Sequence, residues 1–174
     1  MDILLINPPW LTKDGNIWHG VKSTSPPLGL LYVAAYAESK GREVRVMDVN
    51  AERLSFEDIE RFVSEHRPRW VGFTAVTAQI INTHRIAGII KRVSSDSKIV
   101  VGGVHATAMP DDVMRDPNID YVIRGEGELP LFELVDGRPL ESIAGLSYRG
   151  ANPLQPIQHN PPGQPIEDLD SLPT

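Results

Sequence analysis

The chain has 174 residues and no cysteine, so it forms no disulfide and holds no zinc or iron–sulfur cluster through its own thiols. Its 17 Lys and Arg against 23 Asp and Glu give a formal charge of −6, which offers no electrostatic reason to expect nucleic acid as a partner. A 41% hydrophobic and 23% charged composition suits one globular domain, and no apolar run approaches the roughly 20 residues of a membrane span. The start, Met1-Asp2-Ile3-Leu4-Leu5, lacks the basic region of a signal peptide, so a cytoplasmic address is the expectation.

Proline is spread unevenly: Pro68 alone lies between Leu28 and Met109, whereas seven fall between Pro139 and Thr174, so a regular body precedes an irregular tail. Ile3-Leu4-Leu5-Ile6, apolar throughout, reads as a strand covered on both faces and is stopped by Asn7-Pro8-Pro9. A helix is expected over Leu28 to Lys40, with Ser25 as its N-cap, Pro26 at the first helical position and Gly41 as its C-terminal cap. Val44, Val46 and Val49 mark a second strand. Ser55-Phe56-Glu57-Asp58 has the Ser-x-x-acid form of a capping box and opens a helix to about His66, with Pro68 beyond it. Trp70 to Val76 is the third strand, and the helix after it gathers Ile86, Ile89, Ile90 and Val93 on one face. Ile99-Val100-Val101, ending at Gly102-Gly103, is the fourth strand. Pro110-Asp111-Asp112 opens a short helix, Ile119 to Ile123 is the fifth strand, and a last helix runs from about Glu126 to Val135. Two short strands, Leu146 to Arg149 and about Gln155 to His159, flank a Gly150-Ala151-Asn152-Pro153 turn and lead into a Pro-rich exit.

Short β-branched runs alternating with amphipathic ones feed a parallel sheet. Five such units fold most economically as a doubly wound, flavodoxin-like α/β domain of strand order 2-1-3-4-5, followed by a C-terminal β-hairpin and a Pro-rich tail. The expected division is 1–138 for the flavodoxin-like domain and 139–174 for the hairpin and linker. In that order a crevice opens above the C-terminal ends of strands 1 and 3. The long loop from Asn7 to Ser25 carries Trp10, Gly15, Trp18, His19 and Gly20, and its tryptophans either shield a flat ligand or cover the sheet edge. Small side chains follow strand 3, in Thr74-Ala75-Val76-Thr77, and strand 4, in Gly102-Gly103-Val104-His105. They either leave a slot through which a bulky group threads between sheet and helices, or, at Gly102-Gly103, merely permit a tight turn and close packing.

Several sites are excluded. No G-x-G-x-x-G follows strand 1 and no G-x-x-x-x-G-K-[ST] occurs, and Gly125-Glu126-Gly127-Glu128 is too acidic to hold a phosphate. The five histidines, 19, 66, 84, 105 and 159, lack metal-ligand spacing, and only His105 lies beside the expected slot. Asp48 reads as a solvated strand end, and Asp111 and Asp112 favour a helix dipole; no catalytic residue and no metal ligand is assigned.

The succession Asn7-Pro8-Pro9, Ser25-Pro26-Pro27-Leu28-Gly29-Leu30, Gly102-Gly103-Val104-His105-Ala106-Thr107, Tyr121-Val122-Ile123-Arg124-Gly125-Glu126-Gly127-Glu128, Gly145-Leu146-Ser147-Tyr148-Arg149 and Asp168-Leu169-Asp170-Ser171-Leu172-Pro173 resembles the N-terminal cobalamin-binding domain of cobalamin-dependent radical S-adenosylmethionine enzymes, over nearly the whole chain. The resemblance extends to methyltransferases and to oxidative cyclases of tetrapyrrole synthesis. It implies a following radical S-adenosylmethionine barrel whose C-x-x-x-C-x-x-C loop carries a [4Fe–4S] cluster. Thr174 is then the end of a fragment, inactive by itself. By resemblance Asn7, Pro8, Pro9 and Trp10 face the corrin; Thr74, Ala75, Val76 and Thr77 line the slot for the nucleotide tail; Gly102 and Gly103 admit the dimethylbenzimidazole, with His105 beside them. Glu126 and Glu128 hydrogen-bond corrin amides, face the barrel or are solvated. Domains of the methionine-synthase type carry Asp-x-His-x-x-Gly after strand 1, where this chain reads Asn7-Pro8-Pro9-Trp10-Leu11-Thr12, so cobalamin is expected base-off with no protein His on cobalt. Two rivals stand beside this: a degenerate domain with a structural role and no cofactor, and a phosphoacceptor receiver, disfavoured because strand 1 lacks a following acidic pair and strand 3 ends in Thr74 and Ala75.

Overall fold

A computed structural model describes residues 1–10, 25–150, 157–168 and 172–173. The expectations for Gly15, Trp18, His19 and Gly20, for the turn at 151–153, for the string at 169–171 and for Thr174 lie outside the described residues. Strands β1 (Ile3–Asn7), β2 (Val44–Asp48), β3 (Trp70–Thr74), β4 (Lys98–Gly102) and β5 (Tyr121–Ile123) pair in parallel in the order β2-β1-β3-β4-β5, as the alternation predicts. Ile3, Leu4, Leu5 and Ile6 are all buried. Successive strand side chains alternate faces, so Ile3 and Leu5 join one core and Leu4 and Ile6 the other. The Leu5 side is covered by α1 (Leu28–Ser39) and, late in the chain, α6 (Glu128–Val135). The opposite side is covered by α2 (Phe56–His66), α3 (Ile80–Val93), α4 (Val104–Ala108) and α5 (Pro110–Val113).

Local chemistry sets most boundaries. Ser55 caps α2: its hydroxyl accepts the Asp58 N–H at 3.1 Å and the Asp58 carboxylate accepts the Ser55 N–H at 2.9 Å. Gly41 ends α1 with φ 80°, a left-handed conformation open to glycine at little cost. The start of α1 differs from expectation. Ser25 and Pro26 lie outside the helix, and Pro27 is the N-cap with no side-chain hydrogen bond. The cause is the proline pair: a residue preceding proline is pushed out of the α region, so Pro26 cannot be helical and the helix waits until Leu28. The third strand ends at Thr74 rather than Val76, where the Ala75 carbonyl accepts the His105 N–H at 3.1 Å and a short 3-10 turn (Thr77–Gln79) leads into α3.

The hairpin continues the sheet. β6 (Leu146–Tyr148) pairs antiparallel with β5, setting Tyr121 opposite Tyr148 and Ile123 opposite Leu146, and β7 (Gln158–His159) pairs antiparallel with β6. Ile143, Leu146 and Tyr148 thereby complete the core under α6.

Candidate functional site

Gly72 sits in the middle of the sheet. Across four adjacent pairings the row reads Val46, Leu5, Gly72, Val100, Tyr121, so a shallow gap opens at Gly72, over which Leu5 Cδ2 leans to 2.6 Å from where a Cβ would stand. Above the gap is a cavity of about 260 Å³. Its floor is Leu5, Gly72, Val100 and Ile123; Gly29, Leu30 and Val33 of α1 form one wall and Gly127, Glu128 and Leu131, around the start of α6, the other. Thr74, Gly102, Gly103, Gly125 and Glu126 form the rim at the C-terminal ends of the strands. The slot is mostly apolar, and neither Lys nor Arg lines it among the described residues, so it is no phosphate cradle. At its rim Gly103 is held at φ 93°, where a Cβ would stand 2.8 Å from the Ala75 nitrogen and 2.9 Å from its oxygen; here the close backbone approach itself requires glycine. A second hollow of about 160 Å³ adjoins, among Tyr32, Glu126, Glu128, Ile166 and Leu172.

Of the residues given a cofactor role in the sequence, Thr74, Gly102, Gly103, Glu126 and Glu128 line the slot. Asn7, Pro8, Pro9, Trp10, Ala75, Val76, Thr77 and His105 stand at the same end of the sheet but outside its lining. The Asn7-Pro8-Pro9 turn is fastened by side chains. Gln79 Nε2 donates to Asn7 Oδ1 at 3.0 Å and to the Pro8 carbonyl at 2.6 Å, while its Oε1 accepts the Val76 N–H at 3.1 Å. Asn82 Nδ2 donates to the Pro9 carbonyl at 2.9 Å, and Asn7 Nδ2 donates to Asp48 Oδ2 at 3.2 Å. Asp48 thus anchors the loop instead of being merely a solvated strand end. Trp10 is half exposed and Ala75 fully buried.

His105, expected beside the slot, lies in the first turn of α4 and is 7% exposed. Its Nδ1 is 3.1 Å from Thr77 Oγ1 and its Nε2 3.3 Å from Asp112 Oδ2, which leaves neither ring nitrogen free. Among the described residues no three His, Cys, Asp or Glu side chains gather as a metal site.

Sequence reading missed Gly72, Gln79 and the α1 wall. The signals were present. Gly72 interrupts the strand Trp70-Val71-Gly72-Phe73-Thr74, where an interior glycine marks a bulge or a close approach by another group. Gln79, the N-cap of α3, stands four residues before Thr83 and seven before Ile86 of that helix's buried face, and is itself 4% exposed.

The chain is 38% identical over 178 residues to an uncharacterized methyltransferase of Pyrococcus horikoshii, covering 99% of this chain and 37% of that protein. It is 32% identical over 181 residues to an anaerobic magnesium-protoporphyrin IX monomethyl ester cyclase of Rubrivivax gelatinosus, covering 99% and 32%. The chain thus spans about a third of the length of these relatives. Among solved structures it resembles the radical S-adenosylmethionine methyltransferase TsrM of Kitasatospora setae, determined with cobalamin and a [4Fe–4S] cluster bound, at TM-score 0.72 and 24% identity over 92% of this chain and 31% of that one. The cobalamin-dependent S-adenosylmethionine radical enzyme OxsB, determined with aqua-cobalamin and S-adenosylmethionine, matches at TM-score 0.76 and 18% identity over 94% of this chain and 22% of that one. Both share its fold. Residues 18–135 match the family model of the B12 binding domain, and the chain belongs to that family.

Proposed function

We propose that this domain holds cobalamin for a radical S-adenosylmethionine enzyme, with the nucleotide tail in the slot between α1 and α6 and its base off the cobalt. The observation that carries the reading is the Leu5–Gly72–Val100 gap beneath that slot. The residues fit the group. A cavity of about 260 Å³ is a little below the ~300–1,000 Å³ of a site for a whole drug-sized molecule, which leaves room for one flat ring system of a larger ligand. Its walls are apolar, and Glu128 Oε2 is buried there with no hydrogen-bond partner among the described residues.

Thr74, Gly102 and Gly103 would hold the tail, and Glu126 would stand at its entrance. Asn7, Pro8, Pro9, Trp10, Ala75, Val76, Thr77 and His105 would border the corrin, shaped by the Gln79 and Asn82 hydrogen bonds. When bound, cobalamin supplies a cobalt able to carry a methyl group or change oxidation state, and the protein's part is binding, orientation and electrostatics. His105 is committed through both nitrogens to Thr77 and Asp112, which supports a cobalt without a His105 ligand.

The parent protein in this reading is a methyltransferase or oxidative cyclase, with a [4Fe–4S] cluster and S-adenosylmethionine in a barrel that follows residues 139–174, the hairpin and linker. The chain alone does not turn over. Titration with hydroxocobalamin tests the cofactor: saturable binding with a base-off visible spectrum, unchanged in His105→Ala, is expected. No binding at micromolar concentration refutes the cofactor reading, and a histidine-ligated spectrum lost in His105→Ala refutes the ligation.

A further inference from the structure

We propose that Glu128 accepts a hydrogen bond from a neutral O–H or N–H donor of the corrinoid, an inference that rests on the function proposed above. Gly125-Glu126-Gly127-Glu128 offers two carboxylates that look alike in sequence, and the structure separates them. Glu126 is exposed, and its Oε2 already accepts the Ile166 N–H at 2.7 Å. Glu128 lines both the slot and the adjoining hollow, and its Oε2 is buried without a hydrogen-bond partner among the described residues. A buried acceptor left unpaired costs free energy that a bound donor restores.

The chemistry of that donor is restricted. With no Lys or Arg lining the slot, a protein cation among the described residues does not neutralise Glu128 within it, and the carboxylate disfavours a neighbouring phosphate. Two neutral donors remain on a corrinoid: a hydroxyl of the nucleotide ribose and a carboxamide at the corrin edge. Gly127 helps to fix the acceptor, because α6 begins so close to α1 that a Cβ there would stand 3.2 Å from Val33 Cγ2.

The test measures hydroxocobalamin and cobinamide affinity, together with ligand-free melting, in Glu128→Leu and Glu128→Gln. Removing the carboxylate is expected to raise the melting temperature while weakening hydroxocobalamin about tenfold or more; Glu128→Gln, which retains an acceptor oxygen, loses less. Cobinamide keeps the corrin carboxamides and lacks the nucleotide. A parallel loss of cobinamide in Glu128→Leu assigns the donor to a carboxamide, and unchanged cobinamide assigns it to the ribose. Hydroxocobalamin affinity within twofold of the native chain overturns the proposal. So does a fall in melting temperature and affinity together, which marks Glu128 as structural. A native chain that binds neither corrinoid overturns this inference and the proposed function together.

Discussion

Replacing Gly72 by valine should close the slot while leaving the sheet standing. A Cβ at Gly72 would meet Leu5 Cδ2 at 2.6 Å and Val100 Cγ1 at 3.7 Å, both side-chain atoms, with no backbone atom among the near contacts. Leu5 can therefore swing into the space of about 260 Å³ that it lines. Overpacking of this kind costs about 1–3 kcal/mol, offset by about 0.4–1 kcal/mol from the less flexible unfolded chain and by valine's preference for strands, so the net loss should stay within about 2 kcal/mol. The ligand loses more. A flat aromatic group seated in the slot removes about 150–250 Å² from water, worth about 4–6 kcal/mol at ~25 cal/mol per Å². Forfeiting half of that, about 2–3 kcal/mol, weakens cobalamin about 30- to 150-fold. Paired titrations with hydroxocobalamin and cobinamide, with denaturant melts beside them, check the claim. Cobinamide should bind Gly72→Val as it binds the native chain, because it has no tail to seat. Native-like cobalamin affinity in a folded Gly72→Val, or an equal loss of both ligands, refutes the assignment of the slot to the tail.

Gln79→Leu keeps the volume and removes three hydrogen bonds, stranding Asn7 Oδ1, the Pro8 carbonyl and the Val76 N–H. A loss of about 2–4 kcal/mol is expected, read as a lower denaturation midpoint with an unchanged slope. Asp58 is held at a pKa of about 2, first by the Ser55 N–H, then by the Ser55 hydroxyl and Arg61. Because the folded value lies below the unfolded one near 3.8, this contribution is full above that pH and fades as pH falls toward 2. Asp58→Asn should therefore melt lower than the native chain at neutral pH, and the two melting curves should converge on acidification through that window.

The order of the five parallel strands was legible because each strand carries its own evidence: an apolar or β-branched run ended by Asn7-Pro8, Pro68 before Trp70, or Gly102-Gly103. The α2 boundary was legible because a capping box is local, all of it within Ser55 to Asp58. The slot was only partly legible. Thr74, Gly102 and Gly103 announce themselves by composition, but Gly72 matters through its lateral neighbours Leu5 and Val100, 67 residues before it and 28 after, and no local pattern fixes that register. The same is true of Glu126 and Glu128. Their difference arises when residue 166 returns to occupy one of them, a contact 40 residues away in sequence.

The exposed apolar side chains give the site a second physical footing. Among the described residues the large ones are Trp10 just past β1, Leu28, Leu31 and Tyr32 in the first two turns of α1, Ile81 at the start of α3, Val104 and Met109 around α4, and Leu129 at the start of α6. In a doubly wound sheet each helix begins where the preceding strand ends, so Leu28, Leu31, Tyr32, Ile81, Val104 and Leu129 lie toward the end at which the slot opens. Isolated exposed leucines need no explanation, but a set gathered near the helix starts, beside a cavity whose Glu128 Oε2 has no hydrogen-bond partner among the described residues, supports the proposed site. A corrinoid carries an apolar ring edge and neutral amides, and a second domain laid over it would bury what the ring leaves exposed. A site for a free phosphate or a polyphosphate would call for the reverse, a cationic rim and little apolar surface, and among the described residues neither Lys nor Arg lines the slot.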